Sequence, residues 1–357
     1  MRKTILHIID SLGSGGAELL LRETIPALKD FDHIICYLHD PEDFLPEFSS
    51  FRVYKLNFSG WGSLLKCAWK LRKILQREKV SLVHAHLLKS TWIARIAKTK
   101  KQKLLFSVHS LLSKDAFEKN RNSLWAEKIL YGKDDTLIGV SNEVVVDYDR
   151  SVSRKGKAFV LHNFIRDDFF QSTYEFNWSS GSPLKCVAVG NLKEAKNYPF
   201  ILKAFSHLGN VNVSLDIYGE GSLGQILAEE IRKEKLNIRI RGNVHNIIKE
   251  LQQYDLFIMA SKHEGYGIAA MEAMTIGLPL FLSRIPVFEE VFEDVPYYFN
   301  LNDPSSLSNA LLSFYEGKML DVKARISKGK SIAQAIATKE QYLKKLSDIY
   351  KQLLQTN

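Results

Sequence analysis

Residues 263 to 279 read HEGYGIAAMEAMTIGLP, and the two carboxylates in this stretch, Glu264 and Glu272, are the first candidates for chemistry. On one helix, a spacing of eight residues would leave them roughly 80° apart around the axis, so they would not converge on one atom as a simple acid/base dyad. Gly265 and Gly267 favour an irregular turn, whereas IAAMEAM from Ile268 is good helix-forming sequence that stops at Gly277 before Leu278 and Pro279. Glu264 is therefore expected on a loop and Glu272 about one turn into a helix. DLFIMAS, from Asp255, reads as a buried strand just ahead of them. A strand, a glycine turn and a helix leave amides exposed at the helix start, where glycine lets a phosphate approach. A carboxylate on either side then suits hydroxyl groups, and a sugar nucleotide has that chemistry. The competing reading is that Glu264 only caps the helix and Glu272 is a solvated helix residue.

The elements around this stretch alternate between strand and helix. TILHIIDSL (4–12) reads as a strand, GSGG (13–16) as a glycine turn and AELLLRETIPALKD (17–30) as a helix. DHIICYLHD, SLVHAHLL, KLLFSVHS and DTLIGVSN look like further strands with helical patterns between several of them, which implies a parallel sheet. Residues 167–184 break the periodicity and are rich in serine and other polar residues, as a connector would be. The alternation then resumes through CVAVGNL, VSLDIYG, IRIRG, LFIMAS and PLFLS. The helical pattern TKEQYLKKLSDIYKQLL (338–354) is the last. Two α/β domains are expected, 1–166 together with 338–357, and 185–337, joined by 167–184; a chain of 357 residues is long enough for two cores.

Three cysteines far apart in sequence, with no Cys/His ligand spacing, indicate neither a disulfide framework nor a structural zinc, and a reducing cytoplasm fits. The basic N-terminus has too short an apolar run for a signal peptide, and no run approaches the roughly 20 apolar residues of a membrane span, so membrane contact is expected to be peripheral. The net charge of +9 is concentrated: Trp61 to Lys133 holds 17 basic minus 4 acidic residues, or +13.

The pattern resembles the family 4 glycosyltransferases. The resemblance rests on E-G-x-G followed by E-A-M-x-x-G-x-P at 264–279. GGAE at 15–18, SVHS around His109, VSN at 140–142, YGEGSL at 218–223, RGNVHNI at 241–247 and IPVFEEV at 285–291 support it. It implies a retaining enzyme of the GT-B fold, in which two Rossmann-like domains face each other across a cleft, the donor nucleotide lies mostly on the second, and the last helix crosses back to the first. It also implies roles. Glu264 positions the donor sugar, Glu272 takes the ribose hydroxyls, and the amides around Gly267 and Ile268 face the diphosphate. Lys196, in GNLKEAKN, aligns with the diphosphate-binding lysine, and such a cation stabilises the departing nucleoside diphosphate in place of a divalent metal. No metal or other cofactor is expected.

The same resemblance places His109 near the reacting centre, puts the backbone at Gly15 and Gly16 over the diphosphate or acceptor, and puts the base contacts at His245 and Asn246. Neither of these last two is an acid that would answer guanine's N–H donors, which favours uridine. One position departs from the pattern: Asn191 stands where the family usually has arginine, and Lys262 and Arg284 are the nearby cations that would make up the charge. His84 and His86 alternate on a strand and share one face, a metal-capable arrangement, but no nearby carboxylate completes a site, and they read as structural or cleft-lining. GSGG lacks the third glycine of the dinucleotide fingerprint, and Asp30 and Asp32 are the only acids near the place of a ribose carboxylate, so a dehydrogenase fits poorly.

Within the basic segment Lys66, Lys70, Lys73 and Arg77 share one helical stripe, with Leu64, Ala68, Leu71 and Leu75 on another and Trp61 and Trp69 between them. A solvated face is the plain reading; basic side chains bordered by tryptophan also suit an anionic membrane surface. No nucleic-acid signature accompanies the charge. The expected activity is sugar transfer from a nucleoside diphosphate to a hydroxyl of a surface glycan or lipid-linked glycan, on the cytoplasmic side. A silent sugar-nucleotide-binding protein and a GT-B epimerase are the rivals.

Overall fold

The computed structural model describes residues 2–154 and 156–355. The chain divides into two compact units, Met1–Asn163 with Glu340–Asn357, and Phe164–Lys339. In the first unit β1 (Thr4–Ile9), β2 (Asp32–Tyr37), β3 (Arg52–Lys55), β4 (Leu82–His86), β5 (Lys103–Val108), β6 (Thr136–Gly139) and β7 (Ala158–Val160) form a parallel sheet ordered β3-β2-β1-β4-β5-β6-β7. In the second, β8 (Leu184–Val189), β9 (Val213–Tyr218), β10 (Ile238–Gly242), β11 (Leu256–Met259), β12 (Leu280–Ser283) and β13 (Tyr297–Phe299) form another, ordered β10-β9-β8-β11-β12-β13.

Crossover helices connect the strands of such sheets and cover both faces, which is why the central strands read as unbroken apolar runs such as LFIM and LFLS, buried throughout. Each sheet grows outward from its first strand in both directions. Strand order therefore reverses between β1 and β4 and between β8 and β11, and there the connections leave a crevice at the carboxyl ends of the strands. In the second unit those two connections are the segments that carry Lys196 and Glu264.

The edge strands β3, β7 and β13 escape the sequence pattern, because three or four residues, most of them partly or fully exposed, make no apolar run. The helix expected over 17–30 ends sooner: it spans Gly16–Thr24 and tightens into a 3₁₀ turn at Ile25–Ala27, since Pro26 has no N–H to continue the ladder. The segment 167–184 is not a free connector. Phe169 in the short helix Asp167–Phe170 is fully buried, and Trp178 stacks on Phe314 of the second unit's core with centroids 5.0 Å apart. Its polar residues hide three aromatic anchors, Phe169, Phe176 and Trp178, and the domain boundary falls at Asn163 instead.

The last helix, Lys339–Gln355, buries Tyr342, Leu346, Ile349, Tyr350 and Leu353 along one stripe and belongs, from Glu340 on, to the first unit. Tyr350 meets Phe31 edge-on at 5.5 Å, and Lys351 pairs with Asp30 at 3.0 Å.

Candidate functional site

The loop after β8 is shaped by glycines. Gly190 has φ 154°, and a Cβ on Gly219 would lie 2.1 Å from the Gly190 carbonyl oxygen, so the connections after β8 and β9 close up only without side chains there. A 3₁₀ turn at Glu194–Lys196 and a left-handed Asn197 then lead into the helix Tyr198–Ser206. The Lys262 amide donates to the Ala195 carbonyl at 2.8 Å, fastening this loop to the one after β11. Across that seam Lys196 Nζ lies 2.5 Å from Glu264 Oε1, which also accepts from Ser261 Oγ at 2.7 Å. One ammonium, with protons left for phosphate oxygens, thus faces one carboxylate suited to hydroxyls at the switch point of the sheet.

Gly267 opens the next helix, Ile268–Ile276, with φ 91°, and a Cβ there would come within 2.8 Å of Phe288 Cε1. Met271 makes the first amide bond back to Gly267, so the amides of Ile268, Ala269 and Ala270 have no intrahelical partner and present the positive end of the helix dipole. Glu272 is partly buried. Burial pushes its carboxyl up to about 7, with Arg166 pulling it down and Asp168 adding to the rise. Arg166, 3.1 Å from Asp168, is a neighbour that nothing in the sequence pointed to.

Of the other residues singled out in the second unit, Asn191 is exposed. Arg284 is committed to Glu289 at 2.7 Å and to the face of Tyr298, while Lys262 makes no ion pair among the described residues, so Lys262 is the better substitute for a missing cation. His245 is exposed, and the Asn246 side-chain oxygen accepts from the Lys249 amide as a helix cap.

In the first unit, the turn after β1 runs through Gly13 to Gly16. A Cβ at Gly15 would touch the Glu18 carboxylate, which accepts from Ser11 Oγ at 3.1 Å, whereas one at Gly16 would meet open space. Asp10 accepts from the Ser90 amide at 3.0 Å and hydroxyl at 2.6 Å, tying the end of β1 to the helix Leu88–Ala97 across the other switch point. His109 follows β5; burial lowers its imidazole to about 4, and its Nε2 is buried without a hydrogen-bond partner among the described residues.

Residues 14–169 match the sequence family described as Glycosyltransferase Family 4, and residues 174–331 match Glycosyl transferases group 1. The chain is a family 4 glycosyltransferase. It is 25% identical over 305 residues to the putative glycosyltransferase EpsF of Bacillus subtilis, covering 79% of each chain. To N-acetyl-alpha-D-glucosaminyl L-malate synthase of Bacillus anthracis it is 21% identical, covering 72% of this chain and 71% of the other. Its fold superimposes on Anabaena HepE, solved in complex with UDP, with a TM-score of 0.83 at 17% identity over 98% of this chain and 100% of that one. That likeness makes the two Rossmann-like units a GT-B fold.

In this glycosyltransferase Lys196, Glu264, Gly267, Ile268 and Glu272 sit on the connections after β8 and β11 of one sheet, while in the other Gly15 and Gly16 follow β1, the counterpart of β8, and His109 follows β5, one strand beyond the counterpart of β11. His84 and His86 do not stand alone as a pair: both are buried beside His7 of β1, which is in register with His84. The sequence signal for His7 was a single polar residue inside the apolar run of TILHIID, which is meaningful only once β1 and β4 are known to be neighbours.

Proposed function

We propose that this glycosyltransferase transfers a sugar from a UDP-sugar, with retention, to a hydroxyl of a glycan or lipid-linked acceptor in surface polysaccharide synthesis. The observation that carries the donor assignment is the contact between Lys196 and Glu264 at the β8/β11 switch point, beside a helix whose first amides are open. Lys196 and those amides bind the diphosphate, Glu272 the ribose, and Glu264 the sugar. As the C1–oxygen bond breaks, its electron pair goes to the nucleoside diphosphate, where Lys196 and the helix dipole stabilise the charge. The acceptor oxygen bonds to C1 and its proton passes to the departing phosphate. No metal enters this step.

UDP is favoured by the absence of an acid beside His245 and Asn246 and by the UDP and UDP-glucose complexes of HepE. A polysaccharide role is suggested by relatives such as the O-antigen biosynthesis glycosyltransferase WclY of Escherichia coli, 34% identical over 61 residues.

The acceptor side works at the inner face of the cell membrane. No helix of the described residues is long and apolar enough to cross a membrane. Trp61, Leu65 and Trp69, spaced by four residues on the helix Leu64–Arg77 and the turn before it, are nevertheless 55–72% exposed. Lys66 and Lys73 flank them, Lys73 lying over the Trp69 ring at 3.5 Å. Of the other members of the basic stripe, Lys70 bonds the Leu56 carbonyl, and Arg77, though exposed, is engaged with Glu78 and Tyr54. Transfer and hydrolysis assays over a panel of nucleotide sugars, with and without chelator, test the whole reading. Binding without turnover of any donor makes the chain a silent binding protein, and sugar inversion on the nucleotide makes it an epimerase.

A further inference from the structure

The histidines of the first unit's sheet form a set of convergent nitrogens that donor binding in the second unit does not use. His7, His84 and His86 are each buried, and one ligand nitrogen from each lies within 4.8 Å of the others. Their arrangement follows from the sheet: β1 and β4 are neighbours, His7 is in register with His84, and His86 is two residues on, hence on the same face.

The protons on this cluster can be assigned from one end. The Leu28 carbonyl only accepts, so His33 Nε2, 2.8 Å away, carries a hydrogen. With its hydrogen on Nε2, the neutral His33 ring has its lone pair on Nδ1, which accepts from His7 Nε2 at 3.0 Å. His7 Nδ1 is then a lone pair as well, and it points at His86 Nε2 across 3.4 Å. That gap is longer than the usual N–H hydrogen bond of about 2.7–3.2 Å. It equals the ligand–ligand edge of about 3.3–3.4 Å in a tetrahedral zinc site with Zn–N near 2.0–2.1 Å. If the pair is bridged only by a proton, His86 Nδ1 is left as a buried lone pair, and that nitrogen has no hydrogen-bond partner among the described residues.

The outer groups are those a ligating histidine needs. His7 is oriented through His33 and a backbone carbonyl. His84 has a hydroxyl at each nitrogen, Tyr350 at 2.7 Å from Nδ1 and Ser107 at 2.8 Å from Nε2; ligation through Nε2 displaces the Ser107 hydroxyl from that nitrogen and leaves Tyr350 to accept the Nδ1 hydrogen.

We propose that His7, His84 and His86 bind one late first-row divalent cation of the zinc class, a structural ion that secures the C-terminal helix to the first unit through the His84–Tyr350 contact. Three neutral imidazoles select such an ion over magnesium or calcium, which take oxygen ligands. With the ligands this deeply buried, the ion enters as the chain folds and exchanges slowly.

The test uses the full chain without a polyhistidine tag, refolded with zinc or with cobalt(II), then dialysed against a mild chelator. About one zinc per chain is expected, and the cobalt form should show the visible bands of a tetrahedral site. His33→Asn, which disturbs only the outer group, should weaken zinc binding by roughly 10–100-fold, whereas the exposed His207→Asn should leave it unchanged. Less than about a tenth of an equivalent in the native chain, or undiminished binding in the His7→Asn/His86→Asn chain, overturns the proposal. If that double variant fails to fold, X-ray absorption on the zinc-loaded native protein decides: a shell of imidazole nitrogens supports the site, and sulfur in the shell refutes it. UDP binding, measured in parallel, reports on the second unit, so failure of the zinc site and failure of the donor assignment are distinguishable.

Discussion

Lys196 Nζ and Glu264 Oε1 are 2.5 Å apart, joined across the loops that follow β8 and β11. The pair holds a cation for the diphosphate and an acceptor for the sugar at a fixed separation. Glu264→Gln keeps the shape and removes the charge, so turnover should fall by roughly 10²-fold while UDP affinity changes far less. Lys196→Met should weaken both, because it removes the phosphate partner and leaves Glu264 partly buried without its cation. Steady-state kinetics beside calorimetry with UDP separates the two effects, and a Glu264→Gln enzyme with unaltered kcat refutes the assignment.

Much of this second-unit site is legible in the sequence because its parts are local: a strand, glycines and a helix lie in a single stretch of 25 residues from Asp255 to Pro279. What is not legible depends on which strands are neighbours. That Lys196 reaches Glu264, 68 positions away, follows from β8 pairing with β11. His7, His33 and Tyr350 converge with His84 and His86 through strand order and the return of the last helix, neither of which leaves a mark in local periodicity. Arg166 beside Glu272 was hidden for the same reason, as the last residue of what reads in sequence as the first domain.

Glu272 gives a pH signature. Its folded carboxyl titrates at about 7 against an ordinary 4.5, so the folded state holds a proton there that the unfolded chain has lost. The stabilisation is complete below about 4.5 and disappears as pH rises through about 7. Glu272→Gln should therefore equal the native chain near pH 4.5 and exceed it at pH 8 by on the order of 1–3 kcal/mol, read from denaturant melts. Ribose hydroxyls donate to the ionised form, so native UDP affinity should decline as pH falls below about 7, and the glutamine variant should bind weakly at every pH. A pH-independent native affinity between 5 and 8 counts against Glu272 as the ribose ligand.

Gly267 combines a left-handed φ of 91° with a Cβ position 2.8 Å from the Phe288 ring. Gly267→Ala should cost about 1–3 kcal/mol of stability, visible as a lower melting temperature. It should also displace the open amides of Ile268 and Ala269, weakening UDP binding. A variant that melts lower yet binds UDP normally would place the diphosphate elsewhere.

The base contacts are testable without mutation. His245 is exposed and the Asn246 oxygen is engaged as a helix cap, and neither is a carboxylate that would answer guanine's N–H donors. UDP should bind more tightly than GDP by calorimetry. GDP binding tenfold or more above UDP reverses the base assignment.

Membrane docking calls for a different pair of variants from the one the sequence suggests. A four-residue charge reversal would also break the Lys70–Leu56 and Arg77–Tyr54 contacts that fix the helix Leu64–Arg77. Lys66 and Lys73 are exposed and bond to no backbone carbonyl or carboxylate among the described residues, so Lys66→Glu/Lys73→Glu removes surface charge with the loss only of the Lys73 contact on the Trp69 ring. Each lysine near an anionic surface contributes on the order of 1 kcal/mol, so deleting two should reduce vesicle affinity by roughly 30-fold, and reversal by more. Trp61, Leu65 and Trp69 add an apolar edge that salt does not screen. Sedimentation with phosphatidylglycerol vesicles at low and high salt therefore separates two contributions: the lysine pair should govern the salt-sensitive part, and Leu65→Ser/Trp69→Ser the remainder. Both variants should bind UDP as the native chain does, since the donor residues lie in the other unit. A native protein that leaves these vesicles in the supernatant even at low salt has a solvated basic face, and its acceptor is then to be sought among soluble glycans.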